Sequence, residues 1–379
     1  MMNNGDPNSM NVAPLEGIRV LDFSTLLPGP LASLILAEAG AEVIKVERPE
    51  VGEDMRAYPP SLDGMGGGFA MLNRGKKAVA LDLRNPRAVE SLLKLSSSVD
   101  IVVEQFRPGV MGRLGLDYEA FRSINPKIIY CSITGYGQTG PLAQVPGHDL
   151  NYQAETGLLS LCTGADGAPP LPQALIADIG AGTYPTVVNI LLALRRRDRT
   201  GEGCFIDIAM AENLFTFMFW GLAMGHGTGR WPQPGKELLT GGSPRYQVYP
   251  TKDGRYVAVA ALEDKFWQAF CEIAEIPKHL CDDMADPDAT AKAVRMAIVG
   301  RPASYWERAL GMRDTCCSVV RTLQEAVQTA HFAVRDVFSR QVSLPGHVLP
   351  ALPVPVIPAL RVAADNVQAP VVGRDNAML

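Results

Sequence analysis

The stretch Ile18 to Glu47 reads IRVLDFSTLLPGPLASLILAEAGAEVIKVE. Its ends, IRVLDFS (18–24) and AEVIKVE (41–47), are short runs rich in β-branched and aliphatic residues, and LASLILAEAG between them has the length and composition of a helix. The glycine that closes LAEAG stands where a helix ends in a left-handed residue. Strand, helix, strand is the repeating unit of a parallel sheet, and the pattern continues outward from it. AVALDL (78–83) follows, then a helical PRAVESLLKLSSS, the strand IVVEQF (101–106), the helical YEAFRSIN and the strand IIYCSIT (128–134). Asn85 before Pro86 has the form of an N-cap followed by proline at the first helical position. From Tyr184 a long helix runs to the turn DRTGEG, and CFIDIAM after it is a further buried strand that closes this part of the chain near residue 210. Near-continuous apolar strands separated by helices predict a doubly wound α/β domain with both sheet faces covered.

A different texture begins around Lys236. Two strand-like runs flank Lys252-Asp253-Gly254, a hairpin signal, and KFWQAFCEIAEI, ATAKAVRMAIV and SYWERALGM are helical, so a smaller α+β unit is expected there. The segment Leu344 to Pro358 carries too many prolines for a central strand or a helix and is expected to wrap over a surface.

Composition narrows the function. The 379 residues are 47% hydrophobic and 20% charged, globular values. A net charge of -5 offers no general basic field for nucleic acid. The longest near-apolar run, Leu214 to Met224, is well short of the roughly 20 residues that span a bilayer. Because the N-terminus lacks a basic start and an apolar core, the expected location is the cytoplasm. The seven cysteines include no CxxC pair and are expected to be reduced and mostly buried.

GYGQTG (135–140) has the spacing of a dinucleotide fingerprint, but Pro141 and an irregular LAQVPG follow where that fingerprint needs a helix, so no nicotinamide site is predicted. GMGGG (64–68) reads as a flexible loop. Arg48, Arg56, Arg74, Lys76, Lys77, Arg107 and Arg113 cluster near the ends of the first strands, where a doubly wound sheet binds ligands, and their concentration suits phosphate. His148, in PGHDLNY at the start of a helix, is set apart from the other four histidines, none of which has metal-ligand spacing; no metal is implied. A lone histidine is more often structural than catalytic. Asp178 at the foot of an apolar helix and Glu263 after YVAVAAL have the bland reading of acids that complement a helix dipole.

In order along the chain, PLEGIRVLDFS with PGP at 28–30, GAEVIKVERP, VEQFRPGVMGRLGL, TGYGQTGP, GHDLNY, the Asp178 segment, GEGCFIDIAM and DGRYVAVAALE resemble the class III coenzyme A transferase family, most of all its α-methylacyl-CoA racemase branch. The similarity runs from about Pro14 to Gly346. The resemblance implies a Rossmann-like large domain completed by the C-terminal end of the chain, with a small domain between. It divides the chain into a disordered tail (1–13), the large CoA-binding domain (14–210), a linker (211–238), the small domain (239–313) and a return segment (314–379). It further implies an interlocked homodimer whose active sites lie between the large domain of one subunit and the small domain of the other. CoA enters as part of the acyl-CoA substrate, with no tightly bound cofactor. Arg48 and Arg113 would face its nucleotide and phosphates, and Leu81, Gln105, Phe106 and Arg107 would line it.

The same resemblance gives His148, Asp178 and Glu263 as the acid-base set of a racemase. A proton α to a thioester is weakly acidic, so its removal needs a placed base and donors for the enolate oxygen. Inversion needs a second acid on the opposite face. His148 and Asp178 would take the two faces, Glu263 would orient His148, and the Asp149 backbone N–H would serve the oxygen. The alternative is a CoA-transferase in which Asp178 is the nucleophile and passes through an aspartyl-CoA thioester. His148 and the short GGSP loop (241–244) favour the racemase, whereas Arg245, standing where racemases carry an aromatic, would suit a carboxylate on the acyl group. A CoA-binding protein without chemistry would lack one of the three acid-base residues, and all are present. The acyl pocket is expected to be apolar, with FTFMFW either lining it or packing a dimer core.

Overall fold

The computed structural model describes residues 13–164, 166–311, 313–363 and 366–379, which divide into two compact units. The expected tail at 1–13 falls, but for Ala13, outside the described residues.

The larger unit comprises residues up to Thr156, Gln173–Phe217 and His331–Leu379. Its sheet has six parallel strands, β1 (Arg19–Asp22), β2 (Glu42–Glu47), β3 (Lys77–Ala80), β4 (Ile101–Glu104), β5 (Ile129–Thr134) and β6 (Cys204–Ala209), in the order 3-2-1-4-5-6. β4 and β5 are buried along their whole length, as continuous apolar runs covered on both faces must be. Helix α1 (Pro28–Glu38) joins β1 to β2 and ends at Gly40, whose φ of 106° needs glycine. Helix α2 (Pro86–Leu95) starts as the sequence predicts, with Asn85 accepting the Arg87 N–H at 3.0 Å. Helix α3 (Asp149–Glu155) follows β5, and a π-helical turn (Ala177–Thr183) leads into α4 (Tyr184–Thr200). The continuous helix Ala177–Thr200 is long and apolar enough to cross a membrane by length and composition, and within this unit it packs on α1, β5 and β6.

The strand order reverses between β1 and β4. At such a switch point the loops after the two strands diverge and leave a crevice beyond their carboxyl ends.

The C-terminal end of the chain closes this unit. β10 (Gln341–Leu344) pairs with β11 (His347–Pro350) and β12 (Asn366–Gln368); Pro345 stands in the turn, Pro350 at the end of the edge strand, and Pro353, Pro355 and Pro358 follow outside the strands. Farther on, the Asp375 and Asn376 side chains accept the Ala78 and Ala80 N–H groups at 2.8 Å, which covers the open edge of β3.

The smaller unit, Gly157–Pro172 with Met218–Ala330, is built on an antiparallel sheet of β7 (Tyr246–Pro250), β8 (Tyr256–Ala260) and β9 (Cys317–Val319), with β8 central. The predicted hairpin is present, with Gly254 at φ 76° in its turn. Trp267, Phe270, Val294 and Trp306 fill its core.

The structure corrects several boundaries. Cys317–Val319 pairs with β8, so the small unit runs to Ala330 and the return begins at His331, not at 314. The expected linker at 211–238 is largely helical, and Gly157–Pro172 groups with the small unit. GMGGG is no flexible loop. Met65–Gly66 pairs with Ser61–Leu62, and Gly67 opens a helix to Asn73. A Cβ on Gly66 would lie 2.3 Å from the Met55 carbonyl oxygen, so the glycine lets two backbone segments meet. The seven cysteines are all free, but only Cys131 and Cys271 are fully buried.

Candidate active site

Four of the seven clustered basic residues do not serve a ligand. The Arg56 guanidinium is buried against Glu47, with two contacts of 2.7 Å, and over the Phe69 ring. Arg74 pairs with buried Glu38 at 2.9 Å, Lys76 with buried Asp22 at 3.2 Å, and Lys77 with Glu42 at 2.8 Å. The sequence displays the charges but not the carboxylates folded against them. Arg48, Arg107 and Arg113 stay exposed; Arg48 donates to the Gly52 carbonyl at 3.0 Å and pairs with exposed Asp54.

Two hollows open at the carboxyl ends of the strands. One, of about 780 Å³, is bordered by Phe23 and Thr25 after β1, Arg48 after β2, Leu81 and Arg84 after β3, and Phe106 after β4. The other, of about 370 Å³, is bordered by Leu26 and Pro28, by Gln105, Phe106 and Arg107, and by His148, Tyr152 and Asp178. Phe106 belongs to both, at the switch point. Of the site residues expected from the sequence, Arg48, Leu81 and Phe106 meet in the first hollow, and Gln105, Phe106, Arg107, His148 and Asp178 in the second. Arg113, at the end of the short helix Val110–Arg113, borders neither. Glu263 lies in the smaller unit as the residue before helix Asp264–Ile273.

His148 is the N-cap of α3, and its backbone N–H donates to Asn151 Oδ1 at 3.0 Å. The Asp149 N–H, at the first helical position, has no intrahelical acceptor. The structure adds a task for the Asp149 carboxylate. It is buried and accepts the Ala177 N–H at 2.7 Å, the Asp178 N–H at 3.0 Å and Gln153 Nε2 at 2.6 Å. One carboxylate therefore ties the start of α3 to the start of the π-helical turn, which brings His148 and Asp178 to the same hollow. Such turns recur at functional positions because they break the regular helical ladder.

Burial, and then the negative charge of Asp149, pushes the Asp178 carboxyl up to about 6, while His148 acts in the opposite direction. The first glycine of GYGQTG, Gly135, and Gly147 of PGHDLNY have a packing reason. A Cβ on Gly135 would lie 2.4 Å from the Tyr152 ring, and one on Gly147 2.7 Å from it, while the Tyr152 hydroxyl donates to the Gly147 carbonyl at 2.6 Å.

Two further acids went unread in the sequence. Glu104 ends β4, buried, and accepts the Phe106 N–H at 2.8 Å and the Ser132 hydroxyl. Burial raises its carboxyl to about 7. Glu53 accepts the Leu26 N–H at 3.0 Å and lies 3.4 Å from Lys45 Nζ. Leu26 has φ 62°, a costly conformation for a bulky residue, and it stands in the loop that walls the second hollow.

Among the described residues no group of three or more His, Cys, Asp or Glu side chains is gathered as a metal ion would require.

A sheet of order 3-2-1-4-5-6 with an imidazole and a carboxyl at its switch-point crevice defines a doubly wound α/β enzyme. The chain belongs to CoA-transferase family III, whose profile matches residues 15–376. It is 34% identical over 333 residues to α-methylacyl-CoA racemase of Mus musculus, covering 86% of this chain and 82% of that one. It is also 31% identical over 346 residues to acetyl-CoA:oxalate CoA-transferase of Acetobacter aceti, covering 88% of each. The crystal structure of Rv3272 from Mycobacterium tuberculosis is 29% identical and superposes with a TM-score of 0.81, covering 96% of this chain and 98% of that one. Racemases and transferases thus stand at similar identity, and the family alone does not choose between them.

Proposed function

We propose that the protein epimerises the α-carbon of a 2-methylacyl-CoA by two-base proton transfer. The observation that carries this reading is the pairing, in one hollow, of the His148 imidazole with a carboxyl raised to about 6. A carboxyl so raised can exchange a proton near neutral pH, and the imidazole supplies the second acid-base group. One takes the α-proton, the electron pair passes into the enolate, and the other returns a proton to the opposite face. A nucleophilic aspartate has no need of a second base beside it.

Arg245 also supports the reading. Its guanidinium is occupied by Asp283 at 2.7 Å, Asp264 at 2.6 Å and the Leu262 carbonyl at 3.1 Å, and it lies over the Trp267 ring. This removes the reason for expecting a carboxylate on the acyl group. CoA transfer through Asp178 is the second reading, favoured by the transferases among the relatives.

The larger hollow would take the CoA nucleotide, with Arg48 at its border facing the phosphates, while Arg113, outside both hollows, would have to meet a part of the cofactor that extends beyond them. Arg48→Ala and Arg113→Ala should each weaken CoA binding roughly tenfold or more by calorimetry, the loss of a charge-assisted contact. Unchanged affinity in both would remove the proposed subsite. The interlocked homodimer, with Glu263 of the partner subunit orienting His148, belongs to the same proposal.

The raised Asp178 carboxyl fixes a pH dependence. As the base, Asp178 must be ionised, so kcat/KM in the direction it serves should rise from pH 5 to 7 with a midpoint near about 6. A flat profile over that range would set Asp178 aside as the base.

The incubation that decides between the two chemistries monitors deuterium at the α-carbon in D2O, with and without a free carboxylic acid.

A further inference from the structure

We infer that Gln105 is a catalytic residue whose side-chain amide donates a hydrogen bond to the thioester carbonyl oxygen as negative charge gathers on it. The inference rests on the reading of the smaller hollow as the place of the thioester. Its support is the fixed orientation of the amide. The Gly29 backbone N–H donates to Gln105 Oε1 at 3.1 Å. A backbone N–H can only donate, so the oxygen end is committed to α1, and the Nε2 end carries two N–H donors for which the described residues offer no acceptor. Gln105 borders the hollow that also holds His148 and Asp178.

The donor is also pinned from both sides. Gly29 is held close to the β1 loop, where a Cβ would lie 2.1 Å from Ser24 Cβ. On the far side the next peptide, Phe106 N–H, is bonded to buried Glu104, which also accepts the Ser132 hydroxyl; Ser132 Oγ in turn accepts Gln138 Nε2 at 2.7 Å. A donor fixed before the reaction stabilises developing charge without reorganising, and this is where such groups gain their effect. Enolate formation and acyl transfer both place that charge on the same oxygen, so the assignment holds under either chemistry. Gln105 would act beside the Asp149 N–H.

Two variants separate this role from cofactor binding. Gln105→Glu keeps an acceptor for Gly29 but loses the donor, and Gln105→Ala loses both without adding charge. Each should lower kcat by about 10²- to 10³-fold while CoA affinity by calorimetry stays within about threefold. Thermal unfolding of Gln105→Glu should match the parent protein. A kcat within about threefold of the parent in either variant, or a loss confined to CoA affinity, would overturn the inference. If the parent protein itself neither exchanges α-hydrogen nor moves CoA, the reading of the hollow fails first and takes the inference with it.

Discussion

His148→Ala should abolish epimerisation and yet leave stereospecific α-hydrogen exchange with solvent, because Asp178 can still remove the proton from the epimer presented to its face. Asp178→Ala should give the mirror outcome, exchange of the other epimer only. Loss of a placed acid-base group is worth about 10²- to 10⁴-fold in rate, so racemisation in either variant should fall by that factor or more. Proton NMR of each separate epimer in D2O measures both quantities. Were Asp178 a nucleophile, His148→Ala would retain most of a CoA-transfer rate and Asp178→Ala would retain none.

The largest stability effect is expected from the buried ions beneath the same loops. Asp22 and Lys76 are fully buried and 3.2 Å apart, and Lys76 Nζ also donates to the Pro30 carbonyl at 2.9 Å and Asn73 Oδ1 at 2.7 Å. The Asp22 carboxylate accepts the Ser24 and Ser33 hydroxyls. Lys76→Ala leaves that carboxylate with its strongest counter-charge removed and should destabilise the fold by about 3 to 5 kcal/mol in urea unfolding. A loss below about 1 kcal/mol would show the network to be replaceable.

Burial pushes Asp22 up, but Lys76, Lys45 and the two serines outweigh it and hold the group at about 2. A carboxyl lowered on folding stabilises above its unfolded pKa, so this contribution is present above about pH 4 and is lost as pH falls toward 2. Asp178 has the opposite sign. Raised to about 6, it costs stability increasingly as pH rises from about 4 to 6, the usual mark of a group kept for chemistry rather than for folding.

The sheet was legible in the sequence because each of its central strands is a self-contained apolar run. IVVE and IYCSIT are buried along their whole length, so periodicity had only to register the absence of polar positions. Cys317–Val319 was not legible. It is three residues long, half-exposed, and a strand only because β8 accepts it as a partner, a fact of tertiary pairing. The same holds for the charges. Arg56, Arg74 and Lys76 look in sequence like Arg48, and only the fold supplies Glu47, Glu38 and Asp22. His148 and Asp178 could be picked out singly, one from GHDLNY and one as an acid in an apolar helix. What joins them, the buried Asp149 carboxylate bonded to two amides 28 and 29 residues away, had no local signal.

The most direct measurement is mass spectrometry of 2-methylacyl-CoA incubated with the protein in D2O, with and without a free carboxylic acid. Two-base epimerisation leaves one α-deuterium and both epimers in the recovered thioester, with no CoA passed to the acid. Recovery of thioester without α-deuterium, together with CoA on the added acid, would contradict it.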